Sequence, residues 1–208
     1  MPSRMPIEKS KHQIRTEETQ SKVLSAAEAV FSEQGFEKTQ LEEVAARAGY
    51  TRGAIYAHYA SKEDLFLALM GQRVLTKFTV IRQALEAERD IRKRPEIFRN
   101  WIVAQVSDHT WGILMLEFKL YALRRPDSRE KLLQTYEQMS KSTGDDFIEL
   151  LFGSDLDKAG RAAAERRLVI LGAILSAVTL ESHFRPKLLA KKQLHTVLDE
   201  VYKALLYV

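Results

Sequence analysis

Residues 41–65, LEEVAARAGYTRGAIYAHYASKEDL, constrain the fold of this chain more than any other stretch. Gly49 stands where a helix C-cap is expected, and Thr51 can cap a second helix. Two short helices joined by a tight turn that contains glycine form a helix-turn-helix. Four apolar residues at helical spacing predict the first of these helices: Leu41, Val44, Ala45 and Ala48.

The second helix of this unit would leave polar and aromatic side chains on its outer face. Ile55 is expected to face inward and fix the helix, and Gly53 leaves room for a backbone to approach. In a helix-turn-helix, the second helix enters the major groove of DNA. Arg52 can then reach guanine edges or a phosphate, while Tyr56 and His58 can donate to phosphate oxygens.

Two further residues stand at predicted helix starts. At such positions, free backbone N–H groups favour a nearby phosphate, and we expect Lys62 and Thr39 to share in this contact. The alternative is an ordinary αα-corner in which Tyr56 and Tyr59 serve as boundary packing. The candidate DNA-binding residues are Thr39, Thr51, Arg52, Gly53, Ala54, Tyr56, His58, Tyr59 and Lys62.

Composition and periodicity predict an all-α fold. Of the 208 residues, 45% are hydrophobic, and glycine (9) and proline (5) are sparse. No stretch shows the strict alternation that a half-buried strand requires. Besides the short helix that Thr51 can cap, the predicted helices lie near 16–34, 41–48, 61–85, 95–107, 111–124, 128–151, 158–183 and 187–206.

Turn and cap signals separate the first few of these helices from one another. Gly35 stands at an expected helix C-cap. Thr39 precedes Glu42 by three residues, and Ser61 precedes Asp64 by three, which is the spacing of a capping box.

Residues from about Arg15 to Leu69 resemble the N-terminal domain of the TetR family of transcriptional regulators. Tyr50, Ala54 and Ala60 depart from the family's usual residues, so the operator sequence cannot be transferred. The matching features are Ala26-Ala27, Phe31, Gly35-Phe36, Thr39, the run Leu41–Gly49, the block Gly53–Tyr59 and Ser61–Leu65.

This resemblance implies how the chain is organised and what it binds. It implies a helix-turn-helix DNA-binding domain over 15–62, after a flexible basic arm over 1–14. A larger helical domain over 63–208 would bind an effector and form a homodimer. Two recognition helices on a two-fold axis would read an inverted repeat in double-stranded DNA. The most common activity in the family is repression, with release by a small molecule; activation is the alternative.

The second domain offers its own candidates for dimerisation and for a ligand site. Small residues at Gly172, Ala173, Ser176 and Ala177, together with an apolar face of the last helix, could form a seam with a second copy; burial within one chain is the alternative. Aromatic and polar groups at helical spacing could line a cavity for an apolar or aromatic effector, or could be core. These residues are Trp101, His109, Trp111, Glu117, Phe118 and Tyr121.

Other classes of function lack a signal in this sequence. There is no cysteine, and no further histidine stands near His109 and Glu117 as a third ligand, so we expect neither a metal site nor another cofactor. No phosphate-binding loop or catalytic motif appears, so we do not expect an enzyme. The start lacks an apolar signal segment, and the longest apolar run is too short to span a bilayer. We therefore expect a cytoplasmic protein with no membrane partner; a helical protein-interaction module that does not read DNA sequence is the alternative.

Overall fold

The computed structural model describes residues 11–106, 109–126, 129–130, 133–134, 137, 147–187 and 191–206. Within these ranges the chain forms nine α-helices, a 3₁₀ turn at Ile91–Lys93 and no strand. The predicted all-α class is confirmed. The helices are α1 Lys11–Gln34, α2 Leu41–Ala48, α3 Arg52–Tyr56, α4 Lys62–Ala87, α5 Arg94–Gln105, α6 His109–Leu123, α7 Phe147–Phe152, α8 Lys158–Phe184 and α9 Lys191–Leu206.

The observed helices differ from the predicted ones mainly at their ends. Helix α1 begins at Lys11, inside the segment predicted as an arm, and residues 1–10 lie outside the described residues. Most of the helix predicted over 128–151 also lies outside them, and its end forms α7. No membrane-spanning candidate is found among the described helices, none of which is both long enough and apolar enough.

The chain divides into two compact units, residues 1–70 and 71–208. The junction falls inside α4, so this helix belongs to both units and connects them covalently. The predicted boundary after Lys62 marks the start of α4, whereas the first unit also includes the apolar side chains at Leu65, Phe66 and Leu69.

The first unit is built on a buried cluster of three phenylalanine rings. Phe31 of α1 and Phe36 of the following turn stack at 5.7 Å between ring centroids. Phe66 of α4 meets both rings edge-on, at 5.1 Å and 5.0 Å. Such pairs contribute about 0.5–1.5 kcal/mol each beyond the apolar area they bury. They fix α4 against the end of α1, while α2 packs on α1 and on α3.

The turns of this unit are set by glycine and by hydroxyl caps. Gly49 ends α2 with φ +75°, in the left-handed region that favours glycine. Thr51 Oγ1 accepts from the Ala54 N–H at 3.3 Å, and Ser61 Oγ accepts from the Asp64 N–H at 3.1 Å. The predicted caps at Thr51 and Ser61 are therefore confirmed.

The predicted cap at Thr39 is wrong. Gln40 occupies the N-cap position of α2, and its side chain makes no capping bond. Thr39 is instead fully buried, and its hydroxyl donates back to the Gly35 carbonyl at 2.8 Å. This bond satisfies a carbonyl that the end of α1 leaves without a helical partner.

The second unit has an apolar core to which five helices contribute. The apolar face predicted for the last helix is largely internal, because Leu198 and Tyr202 of α9 are buried against other helices of the same chain. These two side chains therefore serve the core of their own chain, and the seam with a second copy stays a prediction. The buried members of the largest cluster are Ile81, Leu85, Phe98, Ile102, Phe147, Leu151, Leu171 and Tyr202.

Helices α6 and α8 cross closely at Gly112 and Thr179. A Cβ atom added at Gly112 would lie 2.6 Å from Thr179 Cγ2. Thr179 is buried, and its hydroxyl donates to the Leu175 carbonyl at 2.8 Å, which holds the side chain in place. Glycine is therefore required for the observed distance between these helices.

Gly112→Ala should lower the free energy of unfolding by about 1–2 kcal/mol, because overpacking outweighs the better helix propensity of alanine. Thr179→Ser removes the methyl group in the way and keeps the hydroxyl. The double variant should therefore recover most of the loss in urea unfolding. A double variant no more stable than Gly112→Ala would show that the contact with Thr179 does not set the crossing.

Candidate nucleic-acid interface

Helix α3 has one buried side and one open side. Ile55, 1% exposed, enters the core of the first unit, as predicted. Tyr56 is 42% exposed, and the Arg52 side chain is 69% exposed. Thr51, Gly53 and His58 are also exposed, and Ala54 is half-buried. The open side therefore presents a cation, a phenol, an imidazole and a bare backbone at Gly53.

Two candidate DNA-binding residues do not lie on this open side. Tyr59 is buried below α3, and this burial raises the pKa of its phenol. Thr39 is buried and bonded to Gly35, as described above. Both were expected at the interface, but the structure corrects this: their side chains serve the core and a helix end.

Lys62 is half-buried and ties the start of α4 to the turn before α2. Its ammonium donates to the Glu37 carbonyl at 2.5 Å and to the Thr39 carbonyl at 3.4 Å. The same Nζ lies 5.1 Å from the centroid of the Phe36 ring. These contacts give Lys62 a structural role in addition to the phosphate contact predicted for it.

Helices α2 and α3 are joined on their exposed surface by three side chains. Arg52 Nε lies 2.9 Å from Glu42 Oε1. The Arg52 guanidinium also covers the Tyr56 ring, with Cζ 5.2 Å from its centroid. Tyr56 donates its hydroxyl to the same Glu42 oxygen at 3.5 Å. No sequence pattern pairs Glu42 with these two residues, because they follow it by ten and fourteen positions with no common periodicity.

A second exposed ion pair joins α1 and α2. Arg47 Nη1 and Nη2 donate to the two carboxylate oxygens of Glu33 at 2.5 Å and 2.7 Å. These hydrogen bonds lower the pKa of Glu33 below its ordinary value. Tyr50, which departs from the family's usual residue, is half-buried, with its hydroxyl 3.3 Å from Thr19 Oγ1. Arg47 and Tyr50 therefore brace α2 against α1.

The candidate ligand-binding residues occupy several environments in the second unit. Trp101 is half-buried and stacks on Phe98 at 5.8 Å, next to Phe78 at 6.0 Å. Trp111 is also half-buried and carries the Arg73 guanidinium 4.9 Å from its ring centroid. Trp101 therefore packs against the main apolar core, while Trp111 meets a cation.

The remaining candidates lie on α6. Phe118 and Tyr121 are buried, and Arg125 donates to the Tyr121 hydroxyl and lies over its ring. Glu117 is half-buried, and the side chain of His109 lies outside the described residues. The structure therefore does not show these side chains converging on one cavity, and their role in ligand binding stays a prediction.

Two open depressions in the second unit are lined by other residues. One, of about 540 Å³, is lined by Glu96, Arg99, Asp199 and Lys203. The other, of about 480 Å³, is lined by Arg82, Ile91, Arg94, Glu149, Leu150, Gly153 and Ser154. Of the five candidates with described side chains, none lines either depression. Within the described part of the chain, no cluster of three histidine or acidic residues is placed to hold a metal ion.

Comparison with known proteins identifies the family of the first unit. Residues 23–69 match the family described as bacterial regulatory proteins, tetR family. The resemblance predicted from the sequence is confirmed over these residues, which include α2, α3 and the start of α4.

Two curated relatives each match about a third of the chain. The HTH-type transcriptional repressor BepR of Brucella suis is 42% identical over 67 residues, 32% of this chain and 32% of the relative. The HTH-type transcriptional activator FasR of Mycolicibacterium smegmatis is 35% identical over 78 residues, 38% of this chain and 36% of the relative. The match thus spans about a third of each relative's length. Both relatives are named as transcription regulators.

The fold extends the similarity over most of the chain. The structure of the transcriptional regulator FadR from Bacillus subtilis in complex with stearoyl-CoA aligns with a TM-score of 0.60. The alignment covers 89% of this chain and 96% of that one, at 17% identity. At this identity, the similarity of the second unit is one of fold.

Lys62→Met should destabilise the first unit by about 1 kcal/mol, because two carbonyls lose a charged donor while the aliphatic stem is kept. Urea unfolding, followed by circular dichroism, measures the change. Lys22→Met, at an exposed position of α1, removes the same charge and is the control. Equal stability of the two variants would contradict a structural role for the Lys62 ammonium.

Proposed function

We propose that this chain, whose residues 23–69 belong to the TetR family of bacterial regulatory proteins, is a ligand-responsive transcription regulator. It binds an inverted-repeat operator in double-stranded DNA as a homodimer. One observation carries the proposal: α3 buries Ile55 and turns Arg52, Gly53 and Tyr56 outward. Residues that only packed the protein core would be buried, whereas residues that contact a DNA groove must be exposed.

The open side of α3 matches the chemistry of a DNA groove. Arg52 carries a guanidinium that can bond guanine O6 and N7 together. Tyr56 and His58 present donors at the rim, where phosphate oxygens lie. Thr51 stands at the N-terminus of α3, where free backbone N–H groups favour a nearby phosphate. The first 62 residues carry nine lysines and arginines against eight acidic residues, so the arrangement of charge and not its sum must attract DNA.

A single α3 is too short to read a long site, so a second copy is required. Helix α8 offers a face for it: apolar side chains stay exposed at intervals of three and four residues. Val169 is 74% exposed and Phe184 is 80% exposed, at the two ends of this face. Small side chains in the middle allow a second helix to approach closely. The exposed face of α8 consists of Val169, Ala173, Ala177, Leu180 and Phe184.

The direction of regulation follows from the simplest use of such a dimer. Repression needs only occupancy of the operator, and BepR is named a repressor. Activation needs an additional surface for the transcription machinery, and FasR is named an activator. We therefore favour repression. A reporter gene behind the selected operator decides between the two, since expression rises without the regulator in one case and falls in the other.

The effector is proposed to be an apolar or aromatic small molecule. FadR from Bacillus subtilis, of similar fold, forms a complex with stearoyl-CoA. In this chain, the second unit contains Trp101 and Trp111 half-buried beside other aromatic rings and a cation. A ligand that prefers the conformation in which the two recognition helices do not fit the operator lowers DNA affinity by that preference.

Selection of bound duplexes from a random DNA pool tests the proposal directly. The purified full chain, without ligand, should enrich an inverted repeat whose half-sites lie about one helical turn apart, or a multiple of it. Enrichment of no sequence, together with weak salt dependence of binding, would support a helical protein-interaction module instead.

Gly53→Ala separates a DNA contact from a folding effect. Apart from the adjoining residues and the backbone of α3 itself, no protein atom lies within 4 Å of the added Cβ, so the protein should be as stable as wild type or more stable by up to about 1 kcal/mol. If a DNA backbone approaches Gly53, operator affinity should fall at least about tenfold in a fluorescence anisotropy titration. Unchanged affinity would remove Gly53 from the interface.

Ala177→Arg tests the exposed face of α8. A long cation in its middle should prevent close approach of a second copy without disturbing the monomer, because Ala177 is exposed. In sedimentation, the mass should fall from twice 23.8 kDa to 23.8 kDa. Ala84→Arg, the same change at an exposed site of α4, should stay dimeric. A dimeric Ala177→Arg variant would place the interface elsewhere.

A further inference from the structure

We propose that Glu42, on the bracing helix α2, is a positioning residue for base recognition by Arg52. The proposal rests on the proposed function and assigns a role to a carboxylate that the sequence indicated only as part of a capping box. Glu42 holds the Arg52 guanidinium in one direction and at the same time reduces the attraction of this surface for DNA of any sequence.

The geometry around Glu42 fixes Arg52 on two sides. Arg52 Nε lies 2.9 Å from Glu42 Oε1 in an ion pair, and the Tyr56 ring lies under the guanidinium at 5.2 Å. The Tyr56 hydroxyl reaches the same oxygen at 3.5 Å, so carboxylate, cation and ring restrain one another. Because the ion pair is closest at Nε, it does not depend on the two terminal nitrogens. These nitrogens remain the donors that a guanine edge needs.

The ion pair matters for orientation more than for folding. Both side chains are substantially exposed, at 69% for Arg52 and 42% for Glu42, and pairs of this kind contribute little to stability. An arginine on an open surface otherwise loses rotamer freedom when it binds a base, which weakens the contact. A guanidinium already held by Glu42 loses less freedom, so the correct base is favoured over the wrong one.

The charge of Glu42 acts in the opposite direction on general affinity. A carboxylate beside the recognition helix repels phosphates of every sequence and so weakens non-specific binding. Weaker non-specific binding combined with a better-oriented arginine raises the ratio of operator affinity to random-duplex affinity. Discrimination by one attractive and one repulsive element is a common route to specificity.

The test compares Glu42→Ala with Glu43→Ala in the full chain, against the selected operator and a random duplex. Both residues are acidic and lie in the first turn of α2, so both variants remove the same charge from the same helix end. In Glu42→Ala, the affinity ratio should fall about tenfold, and base preference should relax at the positions that Arg52→Ala also relaxes. In Glu43→Ala, the ratio should stay within about twofold.

A double variant identifies the partner through which Glu42 acts. In an Arg52→Ala background, Glu42→Ala should change the ratio by less than about twofold, because the two changes share one interaction. Glu42→Gln keeps an oxygen acceptor but loses the charge, so the ratio of operator affinity to random-duplex affinity should fall at least about threefold. If Glu42→Ala unfolds at a lower urea concentration than wild type, Glu42→Gln takes its place in the test.

Three results would overturn the proposal. The first is an unchanged affinity ratio in both Glu42 variants, and the second is an equal fall of the ratio in Glu43→Ala. The third is tighter operator binding by the Glu42 variants with base preference retained, which would mean that Glu42 competes with DNA for Arg52. A wild-type chain with no sequence preference would instead refute the proposed function, and this proposal with it. A wild type that selects an operator, together with Glu42 variants that behave like wild type, refutes this proposal alone.

Discussion

A helix of five residues cannot persist alone in water, and this constraint governs the first unit. Helix α3 spans only Arg52–Tyr56, so its shape depends on burial and not on its own hydrogen bonds. Ile55 supplies that burial from within the helix, and Tyr59 adds a second anchor just after it. Because these two residues fix the inner side of α3, its outer side can carry polar groups that contact a partner.

The polar residues around α3 fall into two groups, which the tertiary structure separates. Thr39 and Lys62 are used to satisfy carbonyls at the end of α1 and before α2. Thr51 and Arg52 remain on the open side. The proposed DNA surface is therefore narrower than the sequence indicated. It is centred on α3 and continues onto α2 through Glu42.

In the second unit, one long helix has two apolar faces with different surroundings. The inner face of α8 buries Leu171 and Thr179, and its approach to α6 is set by the missing side chain of Gly112. The other face exposes side chains such as Val169 and Phe184 to solvent. Apolar side chains left at helical spacing on a surface favour a protein partner, which agrees with the proposed second copy.

The sequence by itself determined the helix-turn-helix, the left-handed turn at Gly49, the inward position of Ile55 and the family, because these follow from local periodicity and short motifs. Only the tertiary structure decided that Tyr59 is core and that Glu42 meets Arg52. It also decided that the last helix buries its apolar face within its own chain. Burial and long-range pairing depend on how distant helices pack, and helical spacing alone does not say which neighbour an apolar or charged face will meet.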